Sequence, residues 1–218
     1  MPNGSRQPGV HSFTAAKLPR EFYLQDTLTA AQALLGKVLV RRTPAGECRA
    51  RIVETEAYLG VTDKASHCYG GTRTARTQVL YGPPGHAYIY LIYGMYCCLN
   101  LVTQPEDVPQ CVLLRALEPL SGQQWMSQNR PRARREEDLC SGPGKLCQAL
   151  GLSRGDSGLD VCGDSLFVAD DGFLPAPEQI AAGPRIHIAY AGEAAQYPWR
   201  FWLRGNPCLS VKEPCTAG

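Results

Sequence analysis

The chain has 218 residues, 44% hydrophobic and 19% charged, with a formal net charge of +2. That length suits one domain with a sizeable core, and the charge excludes a globally basic surface, so any grip on nucleic acid must come from local patches. Ten cysteines with no Cys-x-x-Cys pair and no signal peptide point to reduced, buried thiols and no structural metal, and the longest apolar run, from Ala87 into Val102, is too broken by tyrosines, Gly94 and Asn100 to be a membrane helix.

The first 17 residues mix Gly, Pro, Ser, Asn and Gln and read as a tail, so folding is expected to begin near Leu18. Asp26 is placed to cap a helix through Leu35, with Leu28, Ala31, Leu34 and Leu35 as its apolar stripe and Gly36 as its stop. Strands Lys37 to Arg42 and Cys48 to Tyr58 follow, joined by the turn composition Thr43-Pro44-Ala45-Gly46. Residues 60 to 85 form a long loop that carries Asp63, His67, Arg73 and Arg76.

The segment from His86 to Asn100 reads as two strands around Tyr93-Gly94, which makes Tyr93 a hairpin-tip residue. Cys111 to Leu117 is an apolar strand interrupted by Arg115, a lone charge that needs a carboxylate partner. The run Arg130-Pro131-Arg132-Ala133-Arg134-Arg135, followed by Glu136-Glu137-Asp138, fits either a solvated face or a phosphate contact. Ser141 is a candidate cap for a helix from Pro143 to Leu150. Asp164 to Ala169, Arg185 to Tyr190 and Phe201 to Arg204 complete the strands. The pattern predicts an α+β fold: a single domain over 18–210 with a mainly antiparallel curved sheet, flanking helices and a protruding hairpin, and a second tail over 211–218.

Two constellations carry chemistry. Strand alternation puts Ile52, Glu54, Glu56 and Tyr58 on one face of the second strand, and a carboxylate on a half-apolar face is costly to bury without a partner. Tyr88, Tyr90, Tyr93 and Tyr96 place four of the ten tyrosines within nine residues. Rings at period two also fill one side of an ordinary sheet, so neither constellation is decisive alone.

Taken together, Val53-Glu54-Thr55-Glu56-Ala57-Tyr58-Leu59-Gly60, Gly82-Pro83-Pro84-Gly85-His86-Ala87-Tyr88-Ile89-Tyr90, Tyr93-Gly94-Met95-Tyr96 and Val112-Leu113-Leu114-Arg115-Ala116-Leu117-Glu118-Pro119 resemble the alkyladenine (N-methylpurine) DNA glycosylase family. The likeness extends from about Leu18 to Ser210. It includes Leu18-Pro19-Arg20-Glu21-Phe22-Tyr23, Ser141-Gly142-Pro143-Gly144-Lys145 and Arg200-Phe201-Trp202-Leu203-Arg204-Gly205-Asn206-Pro207. The chain departs from the family's usual pattern at Val61, Thr77, Leu80 and Tyr81.

The resemblance implies a base-excision-repair enzyme that flips damaged purines out of double-stranded DNA: 3-methyladenine, 7-methylguanine, hypoxanthine and ethenoadenine. The hairpin enters the minor groove, with Tyr93, and Met95 beside it, at the intercalating position. Tyr58, His67 and Tyr90 match the rings that stack on the extruded base, and positively charged bases are expected to gain from cation–π attraction. Asn100 matches an asparagine that rejects guanine. Glu56 matches the general base, with Arg115 and the backbone carbonyl of Ile186 holding the nucleophilic water; attraction to Arg115 is expected to keep Glu56 ionised. Glu54 is then structural. Arg73, Arg76, Lys145 and Arg154 are candidate DNA-backbone contacts.

No lysine in these motifs is placed as an amine nucleophile, so water attack without a Schiff base is expected. Neither cofactor nor metal is implied, no membrane partner is expected, and the chain is expected to be monomeric and intracellular with chromosomal DNA, in a nucleus or a nucleoid according to its host. Two rivals remain at this stage: a non-catalytic sensor of damaged bases, and a metal-dependent nuclease using Glu54, Glu56, Asp63 and His67.

Overall fold

The computed structural model describes residues 15–44 and 46–212. In chain order these form β1 (Ala16–Lys17), α1 (Thr27–Ala33), β2 (Val38–Thr43), β3 (Gly46–Tyr58), β4 (Ala87–Ile92), β5 (Tyr96–Thr103), β6 (Gln110–Ser121), α2 (Gln123–Asn129), α3 (Pro143–Ala149), β7 (Leu166–Asp170), β8 (Ile180–Gly183) and β9 (Arg200–Leu203), with short 3-10 turns between them. Among the described residues the strands make one nine-stranded sheet in the order β1-β7-β2-β3-β6-β5-β4, and β8 and β9 branch from β3. Every ladder is antiparallel. The fold is α+β with a large antiparallel sheet, as the sequence predicts.

The axis is β3. Its first half pairs with β2, Val38 opposite Arg51 and Thr43 opposite Gly46. Its second half leaves β2 and pairs with β9, Glu54 opposite Trp202 and Glu56 opposite Arg200. β6 runs along its other edge. Glu54 and Glu56 are therefore flanked by strands on both sides, which explains how two carboxylates come to be fully buried.

Helix α1 starts where Asp26 accepts a hydrogen bond from the Thr29 amide at 3.0 Å, satisfying a donor that has no partner inside the helix. It packs on β3 and β6, while α3 packs on β5 and β6. Leu34, Leu35, Ile52, Val53, Leu114, Leu117, Leu146 and Leu150 belong to the main core they enclose. The nine described cysteines are free, seven of them buried and two half-buried. No helix among the described residues is long and apolar enough to cross a membrane.

Four local expectations are corrected. Strand alternation does not run through Ile52 to Tyr58: Leu117 faces Ile52, Ala116 faces Glu54 and Leu114 faces Thr55, so Val53 and Arg115 are each skipped in the ladder. Such bulges bend a strand and shift the phase of its side chains, and Ile52 joins Val53 in the core instead of sharing the carboxylate face. Arg185 to Tyr190 is not a strand; it is irregular up to Ile188 and enters a 3-10 helix at Ala189–Gln196. There the Ile186 amide donates to Glu56 and His187 has a φ of +60°, which removes both the ladder donor and the extended backbone that a strand needs. β8 and α2 were not predicted, since Ile180–Gly183 is short and Gln123–Asn129 offers few apolar positions. The sheet also begins earlier than Leu18, because Ala16 and Lys17 pair with Asp170 and Ala169. Residues 1–14 of that predicted tail, and 213–218, lie outside the described residues.

Candidate active site

One cleft of about 810 Å³ opens between the hairpin β4–β5, the loop through His67 and Arg76, helix α3 and the segment 186–190. Its walls include Tyr58, His67, Tyr88, Tyr90, Tyr93 and Tyr190. His67 meets Tyr90 edge-on, with ring centroids 4.5 Å apart at 81°, and Tyr90 stacks on Tyr88 at 5.5 Å. The Tyr88 hydroxyl lies 2.9 Å from His67 Nδ1. Burial, with a smaller contribution from Arg76, lowers the His67 pKa to about 4, so the imidazole is neutral at physiological pH. The three rings expected to flank a base, Tyr58, His67 and Tyr90, share one cavity.

Glu56 stands directly behind this wall. Its Oε1 accepts from the Ile186 amide at 2.7 Å and lies 3.2 Å from Arg115 Nη1; its Oε2 accepts from the Tyr58 hydroxyl at 2.8 Å. The carboxylate is 0% exposed, whereas Tyr58, Arg115 and Ile186 all line the cleft. Burial raises the Glu56 pKa, and it outweighs the opposing pull of Arg115, the Ile186 amide and the Tyr58 hydroxyl. The expectation that Arg115 alone would settle its ionisation omitted this desolvation. Ile186 touches Glu56 through its N–H. Burial and the Glu56 charge push the Tyr58 phenol well above its ordinary value, which keeps it a donor.

Glu54 has a different occupation. Arg115 Nε at 3.0 Å, Arg200 Nε at 2.8 Å, and the Ser210 amide and hydroxyl at 2.7 and 2.8 Å all donate to it. Asp63 is likewise consumed, by Arg185 Nη1 at 2.5 Å and Nη2 at 2.8 Å and by the amides of Leu59 and Ala65. The four residues weighed as metal ligands are thus not brought together: the carboxylates serve arginines, and His67 pairs with Tyr88. No group of three or more His, Cys, Asp or Glu residues among those described could hold a metal ion.

At the hairpin tip Tyr93 and Gly94 both have positive φ, +52° and +68°, and the Met95 amide donates to the Ile92 carbonyl at 3.2 Å. Two consecutive positive φ values are the signature of a type I′ turn, which glycine eases. Tyr93 is 74% exposed and Met95 70%, a costly arrangement for apolar surface unless it has a use. The hairpin is braced just beside its tip, where a Cβ on Gly144 of α3 would come within 3.0 Å of Tyr96.

The remaining candidates separate. Arg76 and Lys145 line the cleft and are exposed, Lys145 Nζ lying 3.1 Å from Ser141 Oγ. Arg130, from the basic run, joins them in the lining. Arg73 lies elsewhere, paired with Asp107 and Gln78 and stacked on Tyr81, and Arg154 sits in an exposed 3-10 turn, not among the lining residues. Asn100 is buried with its amide donated to the carbonyls of Tyr88 and Cys98, beneath the wall rather than in it. The departures Leu80 and Tyr81 pack with Cys68 and Tyr88 in a satellite core that supports the wall, and Thr77 is buried in a turn with Thr74. Sequence reasoning missed the buried partners Arg185, Arg200 and Ser210; a long-range ion pair leaves no periodic signal in a sequence.

Residues 21–207 match the family model described as methylpurine-DNA glycosylase. A protein of Methanocella arvoryzae named "Putative 3-methyladenine DNA glycosylase" is 53% identical over 197 residues, covering 90% of this chain and 97% of its own. Proteins of the same name from Desulfitobacterium hafniense and Bacillus cereus are 46% and 48% identical, over 90% and 89% of this chain and 99% and 98% of theirs. With an aromatic cleft, a buried carboxylate at its back and matches of this extent, the chain belongs to the methylpurine-DNA glycosylase family and is a DNA glycosylase of DNA repair.

Proposed function

We propose that the enzyme excises damaged purines, among them 3-methyladenine, 7-methylguanine, hypoxanthine and ethenoadenine, after turning the nucleotide out of duplex DNA, and that it leaves an abasic site. Extrusion costs a few kcal/mol of lost stacking. Tyr93, with Met95 beside it, offsets part of that cost by filling the gap from the minor groove, while the freed base stacks among Tyr58, His67 and Tyr90, each ring contributing about 1–3 kcal/mol. Arg76 and Lys145 at the rim meet backbone phosphates, and Arg73 and Arg154 would do so farther out.

Glu56 acts as the general base. A water takes the lone pair that Oε2 retains beside the Tyr58 hydroxyl, its oxygen attacks C1′, and its proton passes to Glu56. The N-glycosidic bond breaks with its electron pair leaving on the base. The sugar carries oxocarbenium character in the transition state, which a nearby carboxylate stabilises. Arg115 orients Glu56, and the Ile186 amide fixes its Oε1. The reaction needs neither an amine nucleophile nor a metal, and the reading is of a monomer acting on chromosomal DNA.

The observation that carries this reading is the fully buried Glu56 set directly behind an aromatic cleft whose mouth bears an exposed tyrosine. Single-turnover release of free base from lesion-containing duplexes, in EDTA and with the strand intact until alkali is added, is the expected result. Glu56→Gln should bind the same duplex and release base at least about 100-fold more slowly, the range a positioned general base supplies. Wild-type protein that binds lesions without releasing base would make it a sensor, and an unaltered rate in Glu56→Gln would remove that residue from the chemistry.

A further inference from the structure

Tyr58 has two faces, and one is already occupied. Arg185 Cζ lies 4.6 Å from the Tyr58 ring centroid and 4.9 Å from that of Trp199, so the guanidinium sits between two aromatic rings. Its side chain is 0% exposed, as is that of Asp63, which grips it at two points. Its Nη1 also donates to the Ala57 carbonyl at 2.9 Å and its Nη2 to that of Ala194 at 3.4 Å. The cation is held from β3, from the loop at Asp63 and from the 3-10 helix after Ile188, and it cannot swing away.

A ring polarised by a cation on one face offers less negative potential on the other, since both ions draw on the same quadrupole. Two like charges on either side of a ring also repel directly, in a site where solvent screening is weak. His67, the neighbouring wall residue, is neutral. The expectation that positively charged bases gain cation–π attraction in this cleft therefore meets an opposing cation at Tyr58.

We infer that Arg185 is a specificity-determining positioning residue: stacked on the hidden face of Tyr58, it offsets the cation–π advantage that a positively charged purine would gain over a neutral one at that ring. The inference rests on the proposed stacking of the extruded base on Tyr58. Asp63 opposes the effect, yet it meets the guanidinium edge while the guanidinium itself lies against the ring, so the nearer charge dominates.

The test is a ratio, which cancels any general loss of folded enzyme. Single-turnover kcat/KM is measured for duplexes containing 7-methylguanine, a cation in DNA, and hypoxanthine, which is neutral, in wild type, in Arg185→Lys and in Asp63→Asn/Arg185→Gln. The double variant removes both buried charges together. Its cationic-to-neutral ratio should rise about three- to thirtyfold, the span from an exposed to a desolvated cation–π contact, and Arg185→Lys should stay near wild type. A double-variant ratio within twofold of wild type overturns the inference.

A measurement on wild type alone guards against failure of the double variant to fold. Excision should be inhibited by 1-methylnicotinamide, a cation, and by its neutral isostere 3-methylbenzamide at concentrations within about threefold of each other, whereas an open tyrosine face would favour the cation about tenfold. A tenfold preference for the cation also overturns it. Wild type that releases neither base defeats the proposed function itself, which keeps the two failures distinct.

Discussion

Replacing Glu54 by glutamine isolates the structural half of the carboxylate pair. Glu54 accepts four hydrogen bonds from three residues distant in sequence, Arg115, Arg200 and Ser210, and its side chain is 0% exposed. The amide keeps the shape and one acceptor, but it removes the charge that compensates two buried guanidinium groups and turns an N–H₂ toward donors. Arg115 retains Glu56 at 3.2 Å; Arg200 is left with its stacking on Trp202 at 4.3 Å. Breaking a buried pair in this way costs about 3–5 kcal/mol. Against a total of roughly 5–15 kcal/mol for a domain, that lowers Tm by about 6–20 °C for a chain of this size. Urea unfolding followed by far-UV circular dichroism should show the midpoint falling with the slope unchanged, the signature of altered stability rather than altered compactness. A loss below about 1 kcal/mol, the worth of an exposed pair, would falsify the view that Glu54 anchors β6, β9 and the C-terminal segment to β3.

The pH dependence of excision follows from the raised pKa of Glu56. The carboxylate must be ionised to accept a proton, so the single-turnover rate should climb as pH rises through a midpoint above the ordinary value of 4.5, and Glu56→Gln should abolish that limb; a limb that persists unshifted in the variant would assign it to another group. The same shift stabilises the fold at low pH and that contribution is lost as pH passes upward through the folded-state pKa. Tyr93→Ser, at an exposed tip, should move Tm by no more than about 1–2 °C, as surface substitutions do, while weakening affinity for lesion duplexes about tenfold or more by removing the ring that fills the gap; equal affinity for the two proteins would return Tyr93 to a packing role. Gly122→Ala should destabilise by about 2–4 kcal/mol, because φ is +80° there and the added Cβ would lie 2.5 Å from Cys48 Sγ and 3.0 Å from the Glu47 carbonyl. An unfolding free energy within 0.5 kcal/mol of wild type, by the ~1 kcal/mol standard of such contacts, would show that the β3–β6 edge relaxes freely at that turn.

Much of this molecule was legible in its sequence because the relevant signals are local. Apolar and β-branched runs announced most of the strands, Asp26 capped α1, which ends at Ala33, ahead of the Gly36 stop, and the Tyr-Gly pair marked a turn that the backbone then made with two positive φ values. Glu56, Tyr58, His67, Tyr90, Tyr93 and Arg115 were singled out by residue type and motif, and the fold gathers them around one cleft. Residue type alone did not show that Asn100 lies beneath the cleft wall and that Arg73 and Arg154 lie outside the cleft lining.

What only the tertiary structure decided are the quantities that depend on what lies across space. Two bulges at Val53 and Arg115 set which carboxylate faces which arginine, and no alternation rule counts an extra residue in a ladder. Whether Glu56 is ionised depends on burial, which outweighs the arginine beside it. The segment after Pro184 resembled a strand by composition, but the demands of Glu56 on the Ile186 amide and of Asp63 on Arg185 hold it irregular. The sequence determined which groups are present and which strands carry them; desolvation and pairing between distant segments determined what each group is able to do.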